Sequence, residues 1–167
     1  MTQAAPARRP HLLVVLGEGG HTAQTLHLLQ LLGSSCTYTY VVSRSDEISA
    51  NKITLPGEIV RLTRPRAKDD SYPQAAWHLA VSIVEAAWLL LRCRPDAVVG
   101  CGPAVQVPPS VFGKLLGAKI IFIESASRIT ELSLTGKIML RLADQFFVQW
   151  ESLQRRYPQT IYAGRLL

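Results

Sequence analysis

Charged residues are scarce in this chain of 167 residues, at 18% of the sequence, and acidic residues are the rarer kind, with 12 against 18 lysines and arginines. The resulting formal charge of +6 favours an anionic partner, which can be nucleic acid, anionic lipid or a phosphorylated substrate. No nucleic-acid motif accompanies the basic residues, and aromatic residues are not interleaved with them. We therefore expect a phosphorylated ligand or a lipid surface as partner, and no nucleic acid.

Cysteine is also scarce, and its spacing excludes the usual metal sites. The three cysteines, Cys36, Cys93 and Cys101, are far apart in the sequence. An odd number of cysteines without a signal peptide fits a reducing cytoplasm. We interpret all three as small buried apolar residues and expect no bound metal.

Internal repeats and low-complexity segments are absent, and the length suits one domain with a substantial core. We expect residues 1–10 to form a flexible basic tail and residues 11–167 to form a single domain. Apolar, β-rich runs alternate with helical stretches, which predicts βαβ units. The predicted fold is therefore α/β and Rossmann-like, with a parallel sheet and helices on both faces. Strands are predicted over 12–16, 37–42, 58–62, 96–99, 119–123, 145–149 and 161–162, and helices over 22–32, 75–92, 107–116, 134–143 and 151–157.

A glycine-rich segment, residues 17–22, joins the first predicted strand to the first helix. Glycines let the backbone pass close to a ligand, and free N–H groups at a helix start favour an anion. His21 would add a titratable group beside that anion; alternatively, it holds a plain tight turn by hydrogen bonds. The third glycine of the dinucleotide fingerprint is replaced by Thr22, which argues against a stand-alone nucleotide-binding oxidoreductase. The predicted phosphate-binding residues of this turn are Gly17, Gly19, Gly20 and Thr22.

Two later strands end in equally unusual residues. Gly102 lies in a second glycine turn, and Glu124 and Ser125 follow the fifth predicted strand. Ligands of open parallel sheets bind outside the carboxyl ends of the strands, so we expect these residues to share one site with residues 17–22. A carboxylate at the end of a buried strand is costly without a task or a partner. Glu124 is therefore predicted either to be a catalytic residue that binds a hydroxyl of the ligand or takes its proton, or to pair with Arg128.

The predicted helix over 75–92 has a wide apolar face and a narrow polar strip. The apolar stripe contains Trp77, Val81, Val84, Trp88 and Leu91, and the polar strip contains His78, Ser82, Glu85 and Arg92. The helix is short for a transmembrane span and carries two titratable residues, which argues against one. Two interpretations stay open, a core helix and a helix partly exposed at a membrane interface. In the second, Trp77, Trp88 and Arg92 contact the membrane.

Motifs in conserved order along nearly the whole chain carry a family resemblance. They occupy residues 17–22, 45–53, 64–66, 102–103 with 107–108, 123–125 with 128, 132–137, 144 with 148–150, and 157–158 with 164–165. The chain resembles the acceptor-side, membrane-anchoring subunit of the two-part UDP-GlcNAc transferase that adds the second GlcNAc to the dolichol-linked precursor. It also resembles bacterial relatives of that subunit that act in capsule and exopolysaccharide synthesis.

The resemblance implies the N-terminal half of a GT-B glycosyltransferase. Such a subunit binds the polyprenyl-diphosphate-linked acceptor, recruits a separate catalytic C-terminal-half subunit that binds the UDP-sugar, and is inactive alone. It needs no cofactor, and transfer of GlcNAc or a hexose is expected. The alternative is a non-catalytic scaffold that brings a transferase to the membrane.

The resemblance also implies roles for particular residues. His21 is the expected general base, because a neutral imidazole takes up a proton near neutral pH. The eukaryotic subunits begin with a membrane span, whereas here the matches begin almost at the first strand, so we expect peripheral binding to the cytoplasmic face of the membrane. That membrane is the bacterial inner membrane, or the endoplasmic reticulum in eukaryotic members. Acceptor or phosphate binding is expected of Arg64, Arg66, Gly102, Ser125 and Arg128, and partner docking of Gly164, Arg165, Leu166 and Leu167.

Overall fold

The computed structural model describes residues 8–65 and 71–166, which form an α/β fold around one parallel sheet. Seven strands lie in the order β3-β2-β1-β4-β5-β6-β7, and each neighbouring pair is parallel. This order, with β1 beside β4 at the centre, is that of the Rossmann fold with one added edge strand, and the fold prediction is confirmed. The strands are β1 (His11–Val15), β2 (Thr37–Ser43), β3 (Glu58–Leu62), β4 (Ala97–Cys101), β5 (Lys119–Ile123), β6 (Gln145–Val148) and β7 (Ile161–Tyr162).

Five α-helices in the described residues connect the strands: α1 (Gly20–Leu32), α2 (Tyr72–Cys93), α3 (Val107–Leu115), α4 (Leu134–Leu142) and α5 (Glu151–Arg156). The largest boundary error concerns α2, which begins at Tyr72 where the sequence predicts a loop. Ser71 caps this helix, because its backbone N–H and its hydroxyl both bond to the Gln74 side chain, 3.0 and 2.8 Å away. Pro73 lies in the first turn, where a proline costs no hydrogen bond.

The two faces of the sheet are covered unequally. Side chains alternate along a strand, so Leu13 of β1 packs into a cluster that contains Leu89 of α2, whereas Val14 packs into a cluster with Leu29 of α1. Residues of α4 and α5 join the first cluster, and α1 is the α-helix that supplies the second. The face that carries α1 therefore keeps an apolar strip beside that helix.

Helix α2 is oriented with Ser82 and Glu85 of its polar strip toward the protein, whereas Arg92 is exposed. Ser82 is fully buried, and Glu85 accepts hydrogen bonds from the Thr63 N–H at 2.6 Å and from the Arg44 guanidinium at 2.7 Å. Although burial opposes ionisation, these bonds outweigh it and lower the pKa of Glu85. The tryptophans lie on the opposite side, with Trp77 69% and Trp88 61% exposed. Most of the apolar stripe is thus exposed, whereas Ala86, Leu89 and Leu90 of the same helix lie in the core, so the helix is part core element and part exposed surface.

By length and composition alone, α2 is apolar enough to cross a membrane, and 22% of its apolar window is buried within the protein. The contacts of Glu85 hold one side of the helix on the ends of β2 and β3. A helix held on the sheet in this way remains part of the folded domain and presents its apolar face at the surface.

Two carboxylates fasten the amino-terminal edge of the sheet. Asp96 accepts a hydrogen bond from the His11 N–H at 2.7 Å, across 85 positions of sequence, and Asp144 accepts one from the Ile120 N–H at 2.7 Å. In each case this backbone bond is the largest cause that lowers the pKa of the carboxyl group. Because the folded pKa values are depressed, the stabilisation is complete above the unfolded pKa of about 4 and is lost as the pH falls through the folded value.

Replacing Asp144 with asparagine is therefore expected to lower the free energy of unfolding by about 1 kcal/mol near pH 7, and by less near pH 3. Urea unfolding of both proteins at the two pH values measures this difference. Glu151→Gln is the matched control, because the ion pair of Glu151 with Arg155 is exposed at the surface and contributes little. An equal loss at both pH values would contradict the role given to the charge of Asp144.

Candidate active site at the carboxyl edge of the sheet

The glycine turn is built so that only small residues fit. A Cβ atom at Gly17 would lie 2.8 Å from the Pro103 Cβ and 2.9 Å from the His21 Cβ, so a side chain has no room there. Gly19 has a φ of +63°, which favours glycine, and lies at the N-cap of α1. Among the described residues no side chain caps this helix start, so its first N–H groups have no side-chain acceptor.

Thr22, predicted to bind phosphate, is fully buried and stabilises the turn from inside. Its hydroxyl donates to the Gly17 carbonyl oxygen and lies 2.7 Å from the Ser49 hydroxyl. Ser49 also donates to the Gly17 carbonyl at 3.3 Å. Thr22 therefore shapes the turn, and a ligand would contact the backbone of the glycines instead.

A second support for the turn, which the sequence did not assign, comes from Asp46. Its Oδ1 accepts hydrogen bonds from the N–H groups of Ile48 and Ser49, at 3.1 and 2.9 Å. Burial raises the pKa of Asp46, but its hydrogen bonds with Ser49 and Ile48 and the nearby Lys52 charge outweigh it, and the net pKa is lowered. The family match over residues 45–53 was the sequence feature that marked Asp46. The role of Asp46 is to hold Ser49 against the glycine turn.

His21 lies between the two glycine turns, where β1 and β4 end. A Cβ atom at Gly102, whose φ is +83°, would lie 2.9 Å from both Nδ1 and Cε1 of the His21 ring. The same position is 3.5 Å from the Ser125 Cβ. Nδ1 is buried and has no hydrogen-bond partner among the described residues, although the side chain as a whole is partly exposed. The strand ends therefore meet as predicted, with the imidazole at their centre.

Glu124 points away from this meeting point, toward the start of α4. It is fully buried, and its carboxylate accepts hydrogen bonds at 3.0 Å from the N–H of Ser125 and from both the N–H and the hydroxyl of Ser133. A Cβ atom at Gly136 would collide with its Oε2. A carboxylate beside a helix N-terminus is favourably placed, since the helix dipole is positive there.

The predicted pairing of Glu124 with Arg128 does not form. Arg128 is exposed in the loop after β5, and the described contacts of Glu124 go to Ser125 and Ser133. A structural partner thus exists, but it is Ser133, nine positions along the chain.

The basic candidates lie around the rim. Arg64 forms an ion pair with Glu18, at the tip of the glycine turn. Ser45 also donates to Glu18, at 3.4 Å. Arg66 lies outside the described residues, as does Leu167. Arg64 is therefore beside the turn, where Glu18 holds its guanidinium.

The chemistry available at this edge is proton transfer beside an anion. The described residues contain no group of three or more His, Cys, Asp or Glu side chains able to hold a metal ion. They offer the N–H groups at the start of α1, the guanidinium of Arg64, the hydroxyl of Ser125 and the imidazole of His21. Donors and a titratable ring in one cleft suit a phosphorylated substrate with a reacting hydroxyl.

The residues predicted to dock a partner lie away from this edge, along an apolar groove. The groove has a volume of about 370 Å³. Leu28 and Leu32 of α1 form one wall, and the exposed strip of the sheet, including Ile121 and Phe147, forms the floor. The opposite wall is the C-terminal segment, which comprises residues 164–166.

Solved structures share this architecture. The domain superimposes on MurG of Acinetobacter baumannii with a TM-score of 0.64 at 17% identity, over 83% of this chain and 40% of that one. UDP-N-acetylglucosamine 2-epimerase from Rickettsia bellii gives a TM-score of 0.70 at 15% identity, over 95% of this chain and 46% of that one. The chain thus spans less than half of either protein. It is of the class of Rossmann-like domains that form one part of GT-B-type structures.

Sequence comparison makes the assignment more specific. A family model described as "Oligosaccharide biosynthesis protein Alg14 like" matches residues 12–166. The UDP-N-acetylglucosamine transferase subunit ALG14 of Homo sapiens is 35% identical over 97% of this chain and 85% of its own length. The subunit of the same name from Yarrowia lipolytica is 33% identical over 95% and 82%. The chain belongs to the Alg14 family, as the motifs indicated.

Proposed function

We propose that the chain is the acceptor-binding subunit of a split UDP-sugar glycosyltransferase that acts in lipid-linked oligosaccharide, capsule or exopolysaccharide synthesis. The observation that carries the proposal is the position of His21, a partly exposed imidazole between two glycine turns and beside an uncapped helix start. The ALG14 relatives are named transferase subunits, which agrees with it. Family membership leaves the oxidoreductase alternative without support.

The reaction proposed is transfer of GlcNAc or a hexose to a hydroxyl of a polyprenyl-diphosphate-linked saccharide. The acceptor oxygen forms a bond to the anomeric carbon, the bond from that carbon to UDP breaks, and the hydroxyl proton passes to His21. Because Nδ1 is buried, Nε2 is the nitrogen that accepts this proton. The acceptor diphosphate binds the N–H groups of the glycine turn, and Arg64 exchanges Glu18 for it.

Glu124 is assigned a positioning role in this mechanism. Its carboxylate is fully buried and bonded to Ser125 and Ser133, so it fixes the loop that begins at Ser125. A base in contact with the acceptor must lie at the surface of the cleft, and His21 meets that condition.

A partner subunit supplies the UDP-sugar site. The chain corresponds to 40% of the length of MurG, so a second domain is required to close a cleft of that type. The apolar groove and its wall, the C-terminal segment, are the proposed docking surface, since such a strip is otherwise left exposed to water.

Helix α2 supplies the proposed membrane contact. Trp77 and Trp88 are exposed on its outer face, and the Arg92 guanidinium lies 5.5 Å from the centre of the Trp88 ring. Amphipathic tryptophans beside an arginine suit the headgroup region of an anionic bilayer. The protein is thus peripheral, on the cytoplasmic face where UDP-sugars are available.

The test is purification of the chain from its native cells with an amino-terminal tag, followed by assay with a UDP-sugar and a polyprenyl-diphosphate-GlcNAc acceptor. We expect a second glycosyltransferase subunit to copurify, and only the complex to transfer sugar. Transfer at the same rate by the chain alone contradicts the split arrangement. A complex without transferase activity contradicts the function.

A further inference from the structure

Gln149 is a buried amide whose hydrogen bonds reach three separate parts of the fold. It follows β6 and lies in the family motif over residues 148–150, and only 2% of its surface is exposed. Its Oε1 accepts a hydrogen bond from the Leu166 N–H at 2.9 Å. Its Nε2 donates to the Gln24 Oε1 at 2.6 Å and to the Glu124 carbonyl at 2.9 Å. One amide therefore joins the C-terminal segment to α1 and to the end of β5.

The next residue, Trp150, makes a second connection of the same kind. The Arg165 guanidinium lies 4.4 Å from the centre of its ring, and its Nε1–H donates to the Ala126 carbonyl at 2.7 Å. Gln24 completes the arrangement, since its Oε1 also accepts from the Ala126 N–H at 3.2 Å. Both connections thus run from the C-terminal segment to the loop that contains Ser125.

We propose that Gln149 and Trp150, here called the bridge, position the loop after β5 according to the state of the C-terminal segment. The proposal rests on the proposed function in one respect, that a partner docks on this segment. Docking then reaches the catalytic edge through the bridge, because Ser125, the residue before Ala126, lies beside Gly102, against which the His21 ring packs. Gln149 and Trp150 are positioning residues, since neither contacts the reacting groups.

The physical basis is the low tolerance of buried amides for lost partners. A buried donor or acceptor without a partner costs about 1–3 kcal/mol, so a shift of Leu166 obliges Gln149 to move or to lose a bond. Gln149 cannot move without disturbing Gln24 and the Glu124 carbonyl, to which it is bonded at the same time. A residue that only filled the core would not carry such a constraint.

The test uses amide hydrogen exchange of the full chain, read at Ala126. Leu166→Pro removes the N–H that bonds to Gln149, whereas Leu166→Ala keeps that N–H and shortens the side chain. We expect exchange at Ala126 to be about tenfold faster in Leu166→Pro and less than about twofold faster in Leu166→Ala. Ile120, whose N–H bonds to Asp144 at the opposite edge, is the internal control and is expected to stay within about twofold.

The decisive comparison is the double variant. In the Gln149→Met background, Leu166→Pro is expected to add less than about twofold at Ala126, because the connection is already broken. Three results would overturn the proposal: equal effects of the two Leu166 variants, a full effect of Leu166→Pro without Gln149, or equal acceleration at Ile120. Should Gln149→Met not fold, Gln24→Met replaces it, because it removes the oxygen that accepts from both Gln149 and the Ala126 N–H and so breaks the same connection.

The complex gives a second measurement. With the copurifying subunit, Gln149→Met is expected to lower kcat about fivefold while the KM for the UDP-sugar stays within about twofold. If Gln149→Met instead abolished binding of the partner subunit and left kcat unchanged, a positioning role would be contradicted. Absence of transfer by the wild-type complex would refute the proposed function, and the exchange result would still decide on the bridge.

Discussion

His21→Ala is expected to lower the kcat of the assembled complex by about a thousandfold, since a positioned general base contributes about 10²–10⁴-fold. The imidazole lies where β1, β4 and β5 end, packed against the backbone of Gly102. Its removal leaves the glycine turn intact, because Thr22 and Ser49 hold the Gly17 carbonyl independently of it. Steady-state kinetics with saturating UDP-sugar measure the effect.

His27→Ala is the matched control, because His27 lies on the same helix and is exposed to solvent. It is expected to leave kcat unchanged within about twofold, while both variants retain the copurifying subunit. Unchanged turnover in His21→Ala, with the complex still assembled, would favour the non-catalytic scaffold. The chain would then recruit the transferase without taking part in its chemistry.

The second large effect concerns the membrane. Replacing Trp77 and Trp88 together with serine is expected to weaken binding to vesicles of phosphatidylglycerol and phosphatidylcholine by at least about a hundredfold. Burying one large apolar side chain stabilises by about 1.5–3 kcal/mol, and both rings lose that contribution. The fold is expected to persist, since both side chains are mostly exposed and the inner side of α2 is unchanged. Vesicle sedimentation across a lipid titration gives the partition coefficient.

Leu31→Ser is the control for this experiment, because Leu31 is equally exposed, at 71%, but lies on α1. It is expected to bind vesicles as the wild type does. A second arm omits phosphatidylglycerol, which tests the contribution of Arg92 near Trp88. If the double variant binds as tightly as the wild type, α2 is not the membrane contact.

Much of the fold could be predicted from the sequence because its strands are short apolar runs bounded by polar or glycine residues. The bounds of β3, β5 and β7 agree with the predicted ranges, and those of β1 and β4, the strands that precede the two glycine turns, agree to within two residues. Parallel topology then brings the strand ends together without further information. This is why His21, Gly102 and Ser125 could be predicted as neighbours.

The errors arise where a contact decides between two equally good local patterns. The periodicity of α2 gives a wide apolar and a narrow polar side, but the bonds of Glu85 to Thr63 and Arg44 determine which side faces inward. These partners are distant in sequence and follow no periodic pattern. The hydrogen bonds between Glu124 and Ser133 and between Gln149 and Leu166 likewise join residues that no periodic pattern connects.

The pairing of β1 with β4 has a consequence for synthesis of the chain on the ribosome. The bond between His11 and Asp96 spans 85 positions, so the centre of the sheet cannot close until more than half of the polypeptide has emerged. Helix α2, encoded between these strands, leaves the exit tunnel earlier, while its tryptophans have no completed sheet behind them. The apolar outer face of α2 is thus complete on the nascent polypeptide just before the centre of the sheet can form, because α2 ends at Cys93 and β4 begins at Ala97.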